Sequence, residues 1–266
     1  MKKVLVCVLL AVSAFLAIAN IAVPREKADV FYPGEELVYK VKYSFIRVGT
    51  LRLVNEGLVN YQGGKYFKLR IYIDSASGIP FITLHDIYET YVDSSSAPIA
   101  FFAWEKKGEH TLETDYLFDY ENKKATVKVR EVYKDTTIVQ PDKNLPLDRV
   151  YRDVLALLYF ARVKSGENYQ NIVIPTFVLN GKDSCYFNEV GKIRELKYQG
   201  KKVPAYYIQG RVKFIGIAGI KDDFEGWFSL DRQRVPIKAK MKAFFGSVTI
   251  ELEEARNWLG EKYYRD

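Results

Sequence analysis

Few side chains in this sequence have the types and spacing that catalysis requires. The 266 residues include two histidines, His85 and His110, which do not stand at the spacing of a zinc-binding pair. His85-Asp86 has the composition of a base held by a carboxylate, but so does a polar pair at the start of a strand. No nucleophile elbow, phosphate-binding loop or dinucleotide fingerprint occurs. We therefore expect no catalytic residue, no metal site and no cofactor, and predict that the protein is not an enzyme.

Apolar connectors between strands are the first candidates for a binding function. Each follows one predicted strand and precedes another, and the Gly and Pro within them weaken strand pairing. Apolar loops at the mouth of a β structure are suited to contact a lipid or a membrane surface. A bulged strand whose isoleucines belong to the core has the same composition. The side chains expected to bind a ligand are Ile79, Phe81, Ile82, Ile217 and Ile220.

A row of lysines is the second candidate. Lys238, Lys240 and Lys242 alternate with apolar residues, so on a strand they share one face. Such a row suits an anionic head group or an acidic polymer. It is equally typical of a solvated face or of a guard on a sheet edge.

Period-two alternation dominates the chain and predicts the elements that position these residues. Apolar and polar residues alternate over 37–43 and 67–74, and polar turns recur about every 8–12 residues, which is typical of an antiparallel sandwich or barrel. One exception has helical spacing, at about 148–164, with Asp148 as the expected N-cap and Gly166 past the end. Residues 256–266 have the composition of a short polar tail.

An internal repeat organises the strands. The segment from Gly78 to Glu113 recurs from Gly216 to Glu251 without a gap and with nine identical positions. We interpret it as one β unit present twice. The prediction is mainly β: antiparallel sheets from two pseudo-repeated β meanders in one barrel-like or sandwich domain, spanning 20–266. Its halves, about 31–135 and 167–254, are joined by a linker and the helix (136–166).

The N-terminus has the pattern of a secretory leader. Lys2-Lys3 precedes an apolar run that ends at Ala17-Ile18-Ala19, so residues 1–19 are predicted to form a signal peptide and its helix. An uncleaved anchor is the alternative. After cleavage, Cys185 is the one remaining cysteine, which is more typical of a small buried apolar residue than of a nucleophile. The net charge of +7 is mild and does not indicate nucleic-acid binding.

Several stretches carry a family resemblance in their order and spacing. They are Phe31–Tyr39 followed by Val48–Leu51, Asp148–Arg162, and Trp227–Ile237 followed by Gly246-Ser247. Together they resemble the bacterial envelope family called domain of unknown function 3108 (DUF3108). The resemblance implies a secreted, mainly β protein of Gram-negative-type cells, with no catalytic residues to carry over. The C-terminal pattern is also similar to the half-barrel lipoprotein carriers, which is a likeness of fold alone.

These observations predict a periplasmic or secreted cell-envelope protein that binds or carries an apolar or amphipathic, lipid-like ligand without catalysis. The alternative is a structural or assembly protein of the envelope that acts through protein contacts. We expect a lipid or envelope proteins as partners, and no nucleic acid. Membrane contact is expected to be peripheral or through an uncleaved leader.

Overall fold

The computed structural model describes residues 28–78, 83–212, 222–242 and 246–265. The predicted leader, residues 1–19, lies outside them. The strands and helices within the described residues are β1 (Glu36–Tyr43), β2 (Ile46–Tyr61), β3 (Gly64–Ser75), β4 (His85–Val92), β5 (Pro98–Lys107), β6 (His110–Asp119), β7 (Lys124–Val132), β8 (Thr137–Val139), β9 (Lys143–Pro146), α1 (Val154–Lys164), β10 (Tyr169–Val178), β11 (Gly181–Tyr198), β12 (Lys201–Val212), β13 (Asp222–Phe228), β14 (Pro236–Lys242), β15 (Ser247–Arg256) and α2 (Glu261–Arg265).

One antiparallel sheet contains all 15 strands. The order runs from β10 to β15, continues through β1 to β8, and places β9 beside β7. This confirms the predicted mainly β, antiparallel fold. The junction is the ladder between β15 and β1, in which Leu37 lies opposite Ala255 and Val41 lies opposite Ile250. The two predicted halves therefore share one continuous sheet, joined edge to edge.

The sheet is curved so strongly that strands near its two ends are in contact. The ring of Phe177 on β10 packs edge-on against Tyr116 and Phe118 of β6, with ring centroids 4.9 and 5.3 Å apart. At the β10–β11 turn, the backbone N–H of Asn180 donates to the hydroxyl of Tyr116 over 3.1 Å. Among the described ladders β10 and β8 do not pair with each other, so the shape is barrel-like and open rather than closed.

Helix α1 lies inside the curl, where it contacts β3, β4 and β10. It begins at Val154, later than the predicted start near Asp148, because Asp153 is the N-cap. The residue before it, Arg152, forms a parallel bridge with Thr176 of β10, which keeps this segment extended. The segment predicted as a linker ahead of the helix is partly β structure. It contains β8 and β9, and both pair with β7.

The lead-in to β1 fills the space beside the helix. The ring of Phe31 stacks on Phe67 of β3 and on Tyr159 of α1, with centroids 4.4 and 5.2 Å apart. Arg162 of α1 donates to both carboxylate oxygens of Glu35 over 2.7 Å, and both residues are almost completely buried. Burying an ion pair opposes folding unless hydrogen bonds replace the water lost by both charges. The two parallel hydrogen bonds between Arg162 and Glu35 provide this replacement.

The C-terminal segment is packed, which corrects the expected polar tail. Trp258 and Tyr264 are 4% and 5% exposed. The indole N–H of Trp258 donates to Asp231 over 3.0 Å, and the hydroxyl of Tyr264 accepts from the backbone N–H of Leu230 over 2.7 Å. These contacts hold α2 against the turn between β13 and β14.

The repeated segments form the same succession of strands, β4–β6 in the first and β13–β15 in the second. At the first turn of each, the carbonyl of Asp93 accepts from the N–H of Ser96, and the carbonyl of Asp231 accepts from the N–H of Arg234. Ser96 and Arg234 both have left-handed backbone, at φ 64 and 49. The likeness therefore extends to turn geometry, while duplication as its origin stays a prediction.

Candidate functional site

One rim of the sheet carries a series of neighbouring hairpin connections. They join β12 to β13, β14 to β15, β1 to β2, and β3 to β4, and these strands are consecutive in the sheet. We call this edge the connector rim. The residue pairs that end these ladders on the rim are Val212 with Asp222, Lys242 with Ser247, Tyr43 with Ile46, and Asp74 with His85.

The turn between β1 and β2 presents apolar side chains to solvent. Phe45 is 86% exposed, Ile46 is 50% exposed and Tyr43 is 37% exposed. We call these three residues the Phe45 tip. Ser44 takes a left-handed backbone with φ 54, which reverses the chain in a two-residue loop. Since β1 and β2 stand in the middle of the series, the Phe45 tip lies near the centre of the connector rim.

The strands that precede and follow the predicted ligand-binding connectors end on either side of this tip. Their residues Ile79, Phe81, Ile82, Ile217 and Ile220 lie outside the described residues, so their role stays a prediction. The strands on either side of them, β3 and β4 for the first connector and β12 and β13 for the second, meet at the connector rim. The described ends of these four strands therefore lie on the same edge of the sheet as Phe45.

The predicted lysine row lies on β14, and its members differ in their partners. Lys238 pairs with Glu251 over 3.2 Å, and Lys242 pairs with Asp223 over 2.9 Å. Lys240 is exposed and, within the described part of the chain, forms no ion pair. Burial raises the pKa of Glu251, but hydrogen bonds from Lys40 and Lys238 outweigh burial, so its pKa is lowered. Lys238 is therefore engaged by a neighbouring carboxylate.

The two histidines are separate surface features. His85 Nδ1 lies 2.6 Å from Asp74 Oδ1, and this pair is open to solvent, with side chains 71% and 51% exposed. The adjacent Asp86 is buried and accepts instead from the N–H of Lys106 over 3.1 Å. The His110 ring packs beside Tyr133 at 4.8 Å. The structure therefore gives His85 a carboxylate partner, but a different one from the adjacent residue in sequence.

Cys185 is fully buried in a second apolar cluster, beside Phe187 and Ile174. Burial raises the pKa of its thiol to about 12. The thiolate is the reactive form of cysteine, so burial and the raised pKa both disfavour reaction at this side chain. In the ranges that the structure describes, no group of three His, Cys, Asp or Glu side chains is placed to hold a metal ion. Over the same ranges, no helix has both the length and the apolar character of a membrane span.

Asp153 is a buried titratable group that the sequence interpretation missed. Burial raises its pKa to about 6, although hydrogen bonds from Ala156 N, Thr90 and Leu155 N oppose the shift. An acidic residue directly before an apolar helical pattern is the signal that identifies such a cap. Because Asp148 has the same signal, sequence alone offers two candidates.

Two of the surface hollows are lined by described residues. One, of about 290 Å³, is on the outer face of β3–β5, and the other, of about 270 Å³, is beside the β10–β11 hairpin. Both volumes fall just below the roughly 300 Å³ at which small-molecule pockets begin. Their lining residues are Arg70, Tyr72, Ile87, Glu89 and Trp104 for the first, and Arg149, Tyr151, Val173, Pro175, Lys182, Asp183 and Ser184 for the second.

Comparison with known proteins supports the fold. No functionally curated protein matches this sequence significantly. A β-barrel-like protein of domain of unknown function DUF1849 from Brucella abortus is similar in structure, with a TM-score of 0.56, 12% identity, and coverage of 86% of this chain and 100% of that one. A Bacteroides fragilis protein with a YmcC-like fold has a TM-score of 0.35, 6% identity, and coverage of 85% and 97%.

The first structural likeness covers nearly the whole sheet, and at its level of identity it concerns the fold alone. A family model described as protein of unknown function (DUF3108) matches residues 38–253, from β1 to β15. This range includes most of the motifs on which the resemblance rested, and the resemblance is thereby confirmed. The chain belongs to the DUF3108 family.

Proposed function

We propose that this is a periplasmic or secreted envelope protein that binds the apolar part of a lipid-like molecule at the connector rim, without catalysing a reaction. The observation that carries the proposal is Phe45, whose side chain is 86% exposed at the tip of a rigid hairpin. Single exposed apolar residues are common on soluble proteins. Here, however, Ile46 and Tyr43 are exposed in the same turn, so Phe45 belongs to a continuous apolar tip and is not an isolated residue.

Burial of the Phe45 tip supplies the driving force. Moving a Phe or Ile side chain from water into an apolar phase stabilises the complex by about 1.5–3 kcal/mol. The β1–β2 hairpin is held on both sides, by β15 and by β3, so little conformational entropy is lost when its tip is covered. A preorganised apolar tip of this kind favours contact with acyl chains.

The rim suits a lipid better than the interior does. Helix α1 and the lead-in to β1 occupy the inside of the curl, where Phe31, Phe67 and Tyr159 stack. The hollows on the outer face of β3–β5 and beside the β10–β11 hairpin are small and lined in part by charged side chains. Binding at the connector rim needs no displacement of this packing, whereas carriage of an acyl chain inside the curl would.

The alternative, an assembly function through protein contacts, is favoured by the free edge of β10. Within the described ladders, its outer side pairs only with Arg152, through Thr176. Tyr169 and Val173 are 41% and 55% exposed along the strand. An open edge of this kind accepts an added strand from a partner. Replacing Val173 with proline would block strand addition at this edge while leaving the connector rim intact.

Vesicle flotation tests the lipid proposal. Protein produced from the full coding sequence is mixed with vesicles of phosphatidylcholine and phosphatidylglycerol, and the floated fraction is measured. We expect Phe45→Ser to weaken binding roughly 10-fold or more, because one buried aromatic side chain is lost. Tyr263→Ser is the control, since Tyr263 is 74% exposed on α2, outside the connector rim. Equal binding by both variants and the unmodified protein would contradict the proposal.

A further inference from the structure

Two lysines flank a threonine on the outer face of the sheet, close to the connector rim. Thr249 of β15 lies opposite Lys240 of β14 on one side and opposite Lys42 of β1 on the other. Residues directly opposite each other in a ladder point to the same face. With strands about 4.8 Å apart, the two lysine Cα atoms are roughly 10 Å from each other. We call these three residues the basic row.

Among the described residues, neither lysine of the basic row is held in an ion pair by a neighbouring acid. Within the described residues, neither Lys42 nor Lys240 forms an ion pair, whereas the nearby Lys242 has Asp223 at 2.9 Å. Glu225 lies opposite Lys240 on β13, but its carboxylate accepts from the Tyr207 hydroxyl over 2.6 Å. The basic row therefore offers two cations without an ion-pair partner beside a hydroxyl, with Lys240 exposed and Lys42 half-buried.

The distance between the basic row and the Phe45 tip is similar to the depth to which apolar side chains enter a bilayer below its head groups. Lys42 is three residues before Phe45 on the same hairpin, and a strand advances about 3.3 Å per residue. The cations thus lie roughly 10 Å behind the apolar tip. Surface-bound amphipathic segments bury their apolar side about 5–10 Å into the boundary between head groups and acyl chains, with Lys and Arg at the head groups.

We infer that the connector rim docks on a bilayer surface rich in anionic phospholipid. The Phe45 tip enters the acyl boundary while Lys42 and Lys240 contact the anionic head groups. The inference rests on the proposed function and adds the class of lipid. Charge complementarity carries it, because a neutral bilayer gains nothing from the two lysines, whereas each cation at an anionic surface strengthens binding several-fold.

Flotation with two lipid compositions tests the inference. Vesicles of phosphatidylcholine alone are compared with vesicles that also contain phosphatidylglycerol, at low and at high salt. On the anionic vesicles we expect Lys42→Gln/Lys240→Gln to lower the partition coefficient roughly 30-fold, and high salt to reduce that difference. On neutral vesicles this variant should match the unmodified protein. The control is Lys65→Gln/Lys124→Gln, which removes two exposed lysines from the opposite rim and should change neither result.

The outcomes separate the inference from the proposed function. Equal binding to neutral and anionic vesicles, with Phe45→Ser still defective, would overturn the inference and leave the proposed function standing. Equal loss in the Lys65→Gln/Lys124→Gln control would overturn the inference too, because only net charge would then matter. Release of the bound protein by soluble polyglutamate at constant ionic strength would indicate an acidic polymer instead. Binding to neither vesicle would overturn both.

Discussion

Replacement of Asp153 with asparagine should stabilise the protein at neutral pH and weaken its pH dependence. Asp153 Oδ1 caps α1 by accepting from the N–H groups of Leu155 and Ala156 over 2.9 and 3.0 Å. Oδ2 lies 2.8 Å from the hydroxyl of Thr90, and that hydroxyl is also 3.0 Å from the carbonyl of Ala100. One hydroxyl proton cannot serve both acceptors. A protonated Asp153, or an asparagine, donates to Thr90 and frees its proton for Ala100.

The pKa gives the size and sign of the effect. Burial raises the pKa of Asp153 from 3.8 to about 6. Between these values the folded protein binds more protons than the unfolded chain, so the free energy of unfolding falls as pH rises from about 4 to about 6. The shift corresponds to about 3 kcal/mol, present as a penalty at pH 7 and absent below pH 4. Asparagine cannot ionise and is an equally good N-cap, so Asp153→Asn removes the penalty.

Urea unfolding between pH 4 and pH 8 measures this effect. We expect Asp153→Asn to be more stable than the unmodified protein at pH 7 by up to about 3 kcal/mol, with the difference vanishing near pH 4. Asp148→Asn is the matched control and has the opposite sign. A hydrogen bond from Tyr151, supported by Arg149, lowers the pKa of Asp148 to about 2. The stability that Asp148 provides is present above pH 4 and is lost as pH falls through about 2. A less stable Asp153→Asn protein at pH 7 would refute the reasoning.

Other substitutions test the buried contacts. Arg162→Met should cost about 3–5 kcal/mol in urea unfolding because Glu35 is left buried without its partner, and Glu35→Gln in the same chain should restore part of the loss. Trp258→Ala should cost about 3–5 kcal/mol in the same assay if the C-terminal segment is packed as described, whereas a solvated tail would show no change. Cys185 should react with a thiol reagent at pH 8 only after unfolding, and reaction at the same rate in the folded protein would contradict its burial.

Local patterns were sufficient to predict most strands. The alternation over 37–43 falls within β1, because a half-buried strand imposes its period on the sequence. The polar turn at 93–96 lies between β4 and β5, and the one at 62–65 lies where β2 ends and β3 begins. The pattern did not predict the 18-residue strand β11. Its bulges around Val190 interrupt the alternation that identifies a strand.

Long-range pairing explains the wrong predictions. Asp148 and Asp153 are both good caps, and the choice between them is made by the bridge from Arg152 to Thr176, which no local window contains. The helical pattern also gives no sign that Arg162 is buried, because its partner Glu35 is the residue just before β1. The polar composition of the segment after β15 also gives no indication that Trp258 is buried, because its partner Asp231 lies in the turn before β14.

The candidate site could be predicted only in part. The lysines on β14 were identified from their alternation, but their different partners depend on β13 and β15, which the sequence does not align with them. The sequence pattern did not predict a role for Phe45, because a single aromatic residue in a short turn has no periodic signal. Its position follows from the strand order, which puts the β1–β2 turn near the middle of the connector rim.

The ladder between β15 and β1 has a kinetic consequence. It joins the first described strand to the last one, so the middle of the sheet forms through contacts between residues separated by most of the chain. Contacts of such high sequence separation slow folding, because loop closure must precede any gain from pairing. β1 therefore has one open edge until synthesis reaches β15, and during that interval it is exposed to pairing with other chains. A circular permutant opened before α1, with Arg265 joined to Ala28 by a short linker, would place β15 just ahead of β1 in the chain while keeping Glu35 and Trp258, and it should fold faster.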